Sequence, residues 1–126
     1  MKLLLDTHVL LWWLDDDPRL SRKTRALIAA TENEALVSQV SLWEIAIKQR
    51  IGKLDIGPAD ILPRLPEFGF GLLDLANSHL LALRHLPHHH GDPFDHLLLA
   101  QAHVERACLI SSDKVLLQYG ITCIPA

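Results

Sequence analysis

The wholly apolar run Leu3, Leu4 and Leu5, which ends at Asp6, is the feature that most constrains the fold. Consecutive large aliphatic residues predict a strand buried on both faces, as in parallel sheets that carry helices on both sides. Further strands are predicted at residues 35–38, 70–73, 108–110 and 121–124. Because helical segments separate these runs, we expect an α/β fold with a mainly parallel sheet.

Helices are predicted from apolar spacing, capping residues and the positions of Pro and Gly. They cover residues 8–14, 21–30, 42–51, 59–65, 76–84, 94–106 and 114–118, and a loop is expected at residues 85–93. Neither an internal repeat nor a low-complexity linker interrupts the pattern. One domain, residues 1–126, is therefore the economical prediction.

Composition limits the classes of protein to consider. With 49% hydrophobic and 21% charged residues, the chain has the balance of a globular domain. The longest apolar run, residues 9–14, is much shorter than the roughly 20 residues of a membrane-spanning helix. Residues 1–5 lack a signal-peptide pattern, so no membrane association and a cytoplasmic location are expected.

The net charge of −3 does not favour a nucleic-acid-binding protein. Basic residues are nevertheless concentrated in two helix-like segments. The first group is Arg19, Arg22, Lys23 and Arg25, and the second is Lys48, Arg50 and Lys53. Such groups usually form solvated helix faces. They become candidates for contacts with a phosphate backbone if an active site lies nearby.

Four acidic residues fall where predicted strands give way to helices: Asp6, Glu44, Asp95 and Asp113. Each has a structural explanation when it is taken alone. Ser41 and Glu44 have the spacing of a capping box, and the segment from Asp92 to Asp95 resembles an N-cap followed by proline. The carboxyl ends of parallel strands are, however, where such sheets bind ligands.

Four carboxylates at one sheet edge repel each other, at a cost of roughly 3 kcal/mol per pair for a separation of about 6 Å. A chain that tolerates this repulsion is expected to bind a cation there. Hard oxygen ligands without an accompanying Cys or His pair favour Mg²⁺ or Mn²⁺ over zinc. Such ions at carboxylate clusters mostly serve phosphate chemistry.

Four segments together resemble the PIN-domain ribonucleases, and most closely the VapC-like toxins of type II toxin–antitoxin systems. They read LLLDTH at residues 3–8, SQVSLWEIA at 38–46, HGDPFDHLLLAQA at 90–102 and LISSD at 109–113. The resemblance spans essentially the whole chain in the order of the family. It implies a three-layer α/β/α fold and a metal-dependent endoribonuclease, dimeric and inhibited by an antitoxin.

By position, Asp6, Glu44, Asp95 and Asp113 match the acidic quartet of the family. The resemblance implies that the three aspartates hold one Mg²⁺ or Mn²⁺, with Glu44 completing the cluster directly or through water. Residues expected to support the quartet are Thr7, Ser111 and Asp92. His96 stands where relatives commonly carry Arg, so a charge that is permanent in Arg depends on pH here.

Other interpretations compete with a ribonuclease. His85 and residues 88–90 form a His-rich tract that either binds a transition metal or is a solvated loop. Trp12, Trp13 and Trp43 either stack on RNA bases or, as their helical positions favour, lie in the core or an interface. A phosphoryl-acceptor domain is disfavoured because position 8 is His rather than a second carboxylate. The alternative function is a catalytically inactive PIN-like module that binds RNA or protein.

Overall fold

The computed structural model of the chain describes residues 1–87, 92–119 and 123–126. Within these residues the strands form one sheet in which every neighbouring pair is parallel. The strands are β1 (Lys2–Leu5), β2 (Glu34–Ser38), β3 (Gly71–Leu73), β4 (Cys108–Ser111) and β5 (Cys123–Pro125). Their order is β3-β2-β1-β4-β5, so the apolar first strand lies at the centre, as its composition predicts.

Helices cover both faces of the sheet, which confirms the expected three-layer α/β/α architecture. They are α1 (Thr7–Leu14), α2 (Arg22–Ala29), α3 (Gln39–Arg50), α4 (Pro58–Ile61), α5 (Leu65–Phe68), α6 (Asn77–Leu83) and α7 (Pro93–Glu105). Two 3₁₀ segments, Leu62–Arg64 and Lys114–Tyr119, complete the described elements. Among the helices of these residues, none has the length and apolar character to cross a bilayer.

The alternation of side chains along β1 divides the core in two. Leu3 and Leu5 pack with α1 and α2 on one face, whereas Leu4 packs with α7 on the other. All three leucines are fully buried. Because neither face of β1 meets solvent after the exposed Lys2, the rest of the strand is apolar, and the polar residue Asp6 follows its end.

The start of α3 differs from the prediction. The helix begins at Gln39, directly after β2, and its N-cap is Ser38, whose Oγ accepts the Val40 N–H at 2.9 Å. Ser41 is buried inside the helix, so the capping box predicted for Ser41 and Glu44 is wrong. Because the strand passes into the helix without a loop, the serine at the strand end already supplies the cap.

Proline explains a second difference. Instead of one helix at residues 59–65, the chain forms α4, a 3₁₀ turn and α5 in succession. Pro63 and Pro66 have no N–H to donate, so a continuous α-helical hydrogen-bond pattern is interrupted at each. The segment predicted as a helical turn at residues 114–118 is a 3₁₀ helix. Residues 88–91 of the predicted loop and residues 121–122 of the last predicted strand lie outside the described residues.

The order of the strands determines where a ligand can bind. From β1 the chain moves outward through β2 to β3, and it then returns to the other side of β1 as β4. The connections therefore diverge between β1 and β4, and the crevice at the carboxyl ends of these two strands is the usual ligand position in such sheets. Asp6 and Asp113 follow these two strand ends.

Candidate active site

An acidic pocket of about 250 Å³ opens at the carboxyl ends of β1 and β4. It receives side chains from α1, α3, α7 and the turn after β4. The lining residues are Asp6, Thr7, His8, Glu44, Asp92, Asp95, Ser112 and Asp113. All four acids singled out in the sequence line this pocket, together with Asp92, although they are spread over more than a hundred residues of chain.

Asp6 is the most deeply placed of the aspartates, at 5% exposure. It caps α1, and its Oδ1 accepts the Val9 N–H at 2.8 Å. Burial raises the pKa of the Asp6 carboxyl above its ordinary value, whereas the hydrogen bond from Ser111 and the one from Val9 act in the opposite direction. Asp6 is thus held by the fold and also carries an electrostatic cost.

Ser111 connects two of the acids. The hydroxyl of Ser111 is hydrogen-bonded to the Asp6 side chain, and its Oγ also accepts the Asp113 N–H at 3.0 Å. Asp113 itself is exposed, and its Oδ1 accepts the Val115 N–H at 2.9 Å. One hydroxyl at the end of β4 therefore positions a buried carboxylate and the backbone of an exposed one.

Glu44 reaches the pocket from the second turn of α3 and is buried. The Thr7 hydroxyl donates to Glu44 Oε1 at 2.7 Å, and Lys48 Nζ lies 3.0 Å from Oε2. Thr7 Oγ1 also lies 3.1 Å from the Oγ of buried Ser41. Both carboxylate oxygens of Glu44 consequently have partners, one on α1 and one on its own helix.

Asp92 and Asp95 occupy the first turn of α7 but have different environments. Asp92 is the N-cap, and its Oδ1 accepts the N–H groups of Phe94 at 2.9 Å and Asp95 at 3.2 Å. Proline follows at the first helical position, as the sequence predicts. The Asp92 carboxylate therefore has a structural function, while Asp95 is directed into the acidic pocket by the helix that Asp92 starts.

The acids act on one another electrostatically. The pKa of Asp95 is raised to about 7, first by burial and then by the negative charges of the surrounding carboxylates. Those carboxylates belong to Asp92, Asp6, Glu44 and Asp113. Burial is the larger cause of the raised pKa, and the four neighbouring acids that add to it show that the site has an excess of negative charge. Such a site binds cations favourably.

The pocket does not hold its acids in the tight arrangement of a complete ligand shell. Across residues 1–87, 92–119 and 123–126, no three His, Cys, Asp or Glu side chains form a group that could hold a metal ion by themselves. A magnesium ion requires less, because it keeps several of its waters and is bound through one or two carboxylates plus substrate phosphate. The donor set of the acidic pocket fits that mode of binding.

The basic candidates take different positions. Lys48 belongs to the pocket through its contact with Glu44. Arg22 and Arg25 line another cavity, and Arg25 is paired with Asp16 at 3.4 Å and stacked on the Trp13 ring at 5.1 Å. Lys23 and Arg50 are exposed on α2 and α3. The basic group on α3 therefore contacts the acidic pocket, through Lys48.

His96 and the tryptophans also separate from one another in space. His96 lines a cavity with Leu83 and Leu86, outside the acidic pocket. Trp12 and Trp13 pack against the core beneath β1, whereas Trp43 is 56% exposed and meets the ring of Phe94 edge to face at 5.0 Å. Residues 88–90 of the His-rich tract lie outside the described residues.

Sequence reasoning missed two lining residues of the pocket, His8 and Ser112, and one contact. Lys48 is among the predicted phosphate contacts, but its pairing with Glu44 was not predicted, although a spacing of four residues on one helix places the two side chains side by side. His8 and Ser112 each neighbour a predicted acid or its support. No local signal distinguishes these two residues, because their positions depend on how β1 and β4 pair.

A five-stranded parallel sheet with an acidic pocket at its switch point defines an α/β/α protein with a candidate ligand site at the carboxyl ends of its central strands. The PIN domain model matches residues 3–121. The chain therefore belongs to the PIN domain family. A comparison with curated protein sequences gives no significant match.

Solved structures share the fold at low sequence identity. A chain in VapBC2 from Rickettsia felis, bound to a DNA fragment from its promoter, has a TM-score of 0.78 and 16% identity, with 100% of this chain and 99% of that chain covered. DNA-bound VapBC from Salmonella typhimurium has a TM-score of 0.70 and 15% identity, with 99% of this chain and 98% of that chain covered. A toxin–antitoxin complex from Klebsiella pneumoniae has a TM-score of 0.58 and 17% identity, with 88% of this chain and 86% of that chain covered.

Proposed function

We propose that this protein is a divalent-metal-dependent endoribonuclease and the toxin of a toxin–antitoxin pair. The observation that carries the proposal is the convergence of Asp6, Glu44, Asp95 and Asp113 on one pocket at the switch point of the sheet. These residues come from four separate parts of the chain. Capping alone does not require them to meet.

The cation is proposed to be Mg²⁺ or Mn²⁺. Asp6, Asp95 and Asp113 would hold it, one or two of them by direct contact and the rest through its bound waters, with Glu44 as a further ligand directly or through water. All these donors are oxygens, and the pocket contains no thiolate that would favour zinc among its described lining residues. When bound, such an ion supplies positive charge that acidifies water and stabilises the transition state of phosphodiester cleavage.

The proposed reaction is hydrolysis. A water oxygen forms a bond to phosphorus, the bond from phosphorus to the 3′-oxygen breaks, and that oxygen leaves with a proton. The products end in a 3′-hydroxyl and a 5′-phosphate. The residues of the chain contribute position: Val9 and Ser111 fix Asp6, and Thr7 fixes Glu44.

The acids of the pocket repel the phosphates of an RNA backbone, so nearby basic side chains are needed to offset this repulsion. Lys48 lies closest to this function because it already contacts Glu44. Arg50, Arg22, Lys23 and Arg25 are proposed as more distant contacts that steer the RNA electrostatically. Removing one of them should weaken binding uniformly across RNA sequences.

The partner is proposed to be an antitoxin protein. The structures that share the fold include VapBC complexes and one described as a toxin–antitoxin complex. An antitoxin that holds the protein inactive can reach the acidic pocket from its Asp113 side, where Ser112 and Asp113 are exposed. Homodimer formation stays a prediction from the family resemblance.

The direct test is incubation of the purified protein with single-stranded RNA and Mg²⁺ or Mn²⁺, with EDTA as the metal-free control. We expect cleavage that depends on metal and is lost in Asp95→Asn. Glu32→Gln is the matched control, because Glu32 is exposed in the turn before β2, at the opposite edge of the sheet. RNA binding without cleavage under all metal conditions would indicate the inactive binding module instead.

A further inference from the structure

A second cavity, of about 480 Å³, adjoins the acidic pocket and shares Ser112 and Asp113 with it. This base cavity, as we name it, extends from those two residues toward α1 and the end of β5. Its walls are apolar where Trp12, Ile124 and Pro125 line it, and Arg19 and Lys114 add two cations. An apolar pocket of several hundred Å³ with a few polar groups is typical of a small-ligand site.

Trp12 and Arg19 form a stacked pair in this cavity. The guanidinium carbon of Arg19 lies 5.0 Å from the centre of the Trp12 ring. Asp17 holds the guanidinium in place through contacts of 2.7 Å to Nη2 and 3.1 Å to Nε. An aromatic ring and a guanidinium plane are the two surfaces on which proteins stack unpaired bases.

The position of the base cavity suggests its occupant. In an RNA strand whose phosphodiester lies among the acids, the next nucleoside is directly attached to that phosphate. Ser112 and Asp113 form the boundary between the acidic pocket and the base cavity, so this nucleoside can reach the cavity. Lys114 is exposed at the same boundary and can offset backbone phosphate. A free anion needs no apolar walls, whereas a base needs both the walls and the stacking surface.

We propose that the base cavity binds one unpaired base of single-stranded RNA, in the nucleotide next to the cleaved phosphodiester. The inference rests on the proposed ribonuclease function, which puts the phosphodiester at the acids. It goes further by assigning Trp12 and Arg19 as substrate-binding residues. Base stacking on this pair gives the enzyme a requirement for a base at one defined position.

Binding can be tested without cleavage. In the Asp95→Asn variant in EDTA, the indole N–H resonance of Trp12, assigned by its loss in Trp12→Phe, is followed during titration with hexaadenylate and hexauridylate. We expect the Trp12 resonance to shift, while that of Trp13, which packs on Phe68 and Phe70, stays fixed. An abasic ribose-phosphate hexamer of equal charge should leave Trp12 unmoved.

Cleavage gives the second readout. RNA oligonucleotides with a single abasic residue are compared at each position around the cleaved bond. We expect one adjacent position at which loss of the base lowers kcat/KM of the unaltered enzyme by roughly tenfold or more. In Trp12→Leu and Arg19→Gln this dependence should disappear, and in Lys2→Gln, a cation at the opposite edge of the sheet, it should remain.

The outcomes separate the two proposals. If the unaltered protein cleaves no RNA with any metal, the ribonuclease proposal fails, and the Trp12 resonance still decides whether a base is bound. If it cleaves RNA with equal kcat/KM for every abasic position and the Trp12 resonance does not move, the base cavity proposal fails alone. It also fails if the abasic hexamer shifts Trp12 as much as the two RNA hexamers do.

Discussion

Thr7 donates a hydrogen bond to Glu44 across 37 positions of sequence, from the first residue of α1 to the second turn of α3, over 2.7 Å. The contact joins the residue after Asp6 to another acid of the same pocket. Because both side chains are buried, neither can replace this partner with bulk water. The hydroxyl at position 7 therefore belongs to the acidic pocket rather than to the helix cap.

Thr7→Val should test this relationship, because it retains the shape and removes the hydroxyl. We expect a loss of about 1–3 kcal/mol in the free energy of unfolding, since one oxygen of a buried carboxylate loses its donor. Thr7→Ser should recover most of the loss. Urea denaturation of the metal-free protein measures both, and equal stability of Thr7→Val and the unaltered protein would contradict the role assigned to the hydroxyl.

Asp92 and Asp95 allow a paired comparison of two acids in one helical turn. Asp92→Ala removes the N-cap of α7 and should cost about 1 kcal/mol of stability. Asp95→Asn removes a charge that its neighbours oppose, so the metal-free protein should be more stable at pH 8. Mn²⁺ at a hundred times its Kd should stabilise the unaltered protein by about 2.7 kcal/mol and Asp95→Asn far less. Thermal unfolding with and without Mn²⁺ measures all three.

The positions of Asp6, Asp95 and Asp113 at strand ends or at a helix start were enough to predict that these acids share one edge of the sheet, whereas Glu44 was expected in the first turn of its helix and lies in the second. Asp6 follows an apolar run, Asp113 follows another, and Asp95 lies just after a proline at a helix start. Parallel strands bring their carboxyl ends to one edge, so a topological rule could gather residues that sequence distance keeps apart. The signal at each acid is local, because it depends only on the adjacent strand or helix. The rule that brings the acids together is general, because it applies to any parallel sheet.

Sequence reasoning chose the wrong N-cap for α3, because two serines fit the capping pattern. Ser38 and Ser41 can each cap a helix that continues through Leu42 and Ile45, and the choice between them depends on whether a loop separates β2 from α3. Trp12 and Arg19 illustrate a second limit. Their stacking requires the chain to turn back after α1, which no periodicity or capping signal specifies.

The raised pKa of Asp95 predicts how stability depends on pH. With a value of about 7 in the folded protein against 3.8 for an ordinary Asp, the folded state holds more protons than the unfolded chain between about pH 4 and pH 7. The free energy of unfolding of the metal-free protein should therefore fall as pH rises through this window and then level off, by less than the roughly 4 kcal/mol of the full pKa shift because solvent screens this half-buried carboxyl. Asp95→Asn should remove most of this slope, and Glu32→Gln should leave it unchanged. Urea denaturation in EDTA from pH 4.5 to 8.5 measures the slope, and stability that rises across the window would contradict the assignment.

Gln101 is fully buried on α7 and lies behind the acidic pocket rather than in it. Its Oε1 accepts the Ser38 hydroxyl, while the Ser38 Oγ accepts the Val40 N–H that begins α3. Gln101→Leu should cost about 1–3 kcal/mol, because the Ser38 proton loses its acceptor inside the core. Gln39→Leu is the matched control: its exposed side chain accepts the Leu75 N–H at 3.2 Å, so its removal should change stability by less than about 0.5 kcal/mol. We expect the Mn²⁺-induced rise in Tm to persist in Gln101→Leu. Its disappearance would show that the Gln101–Ser38 hydrogen bond positions Glu44 as well as stabilising the core.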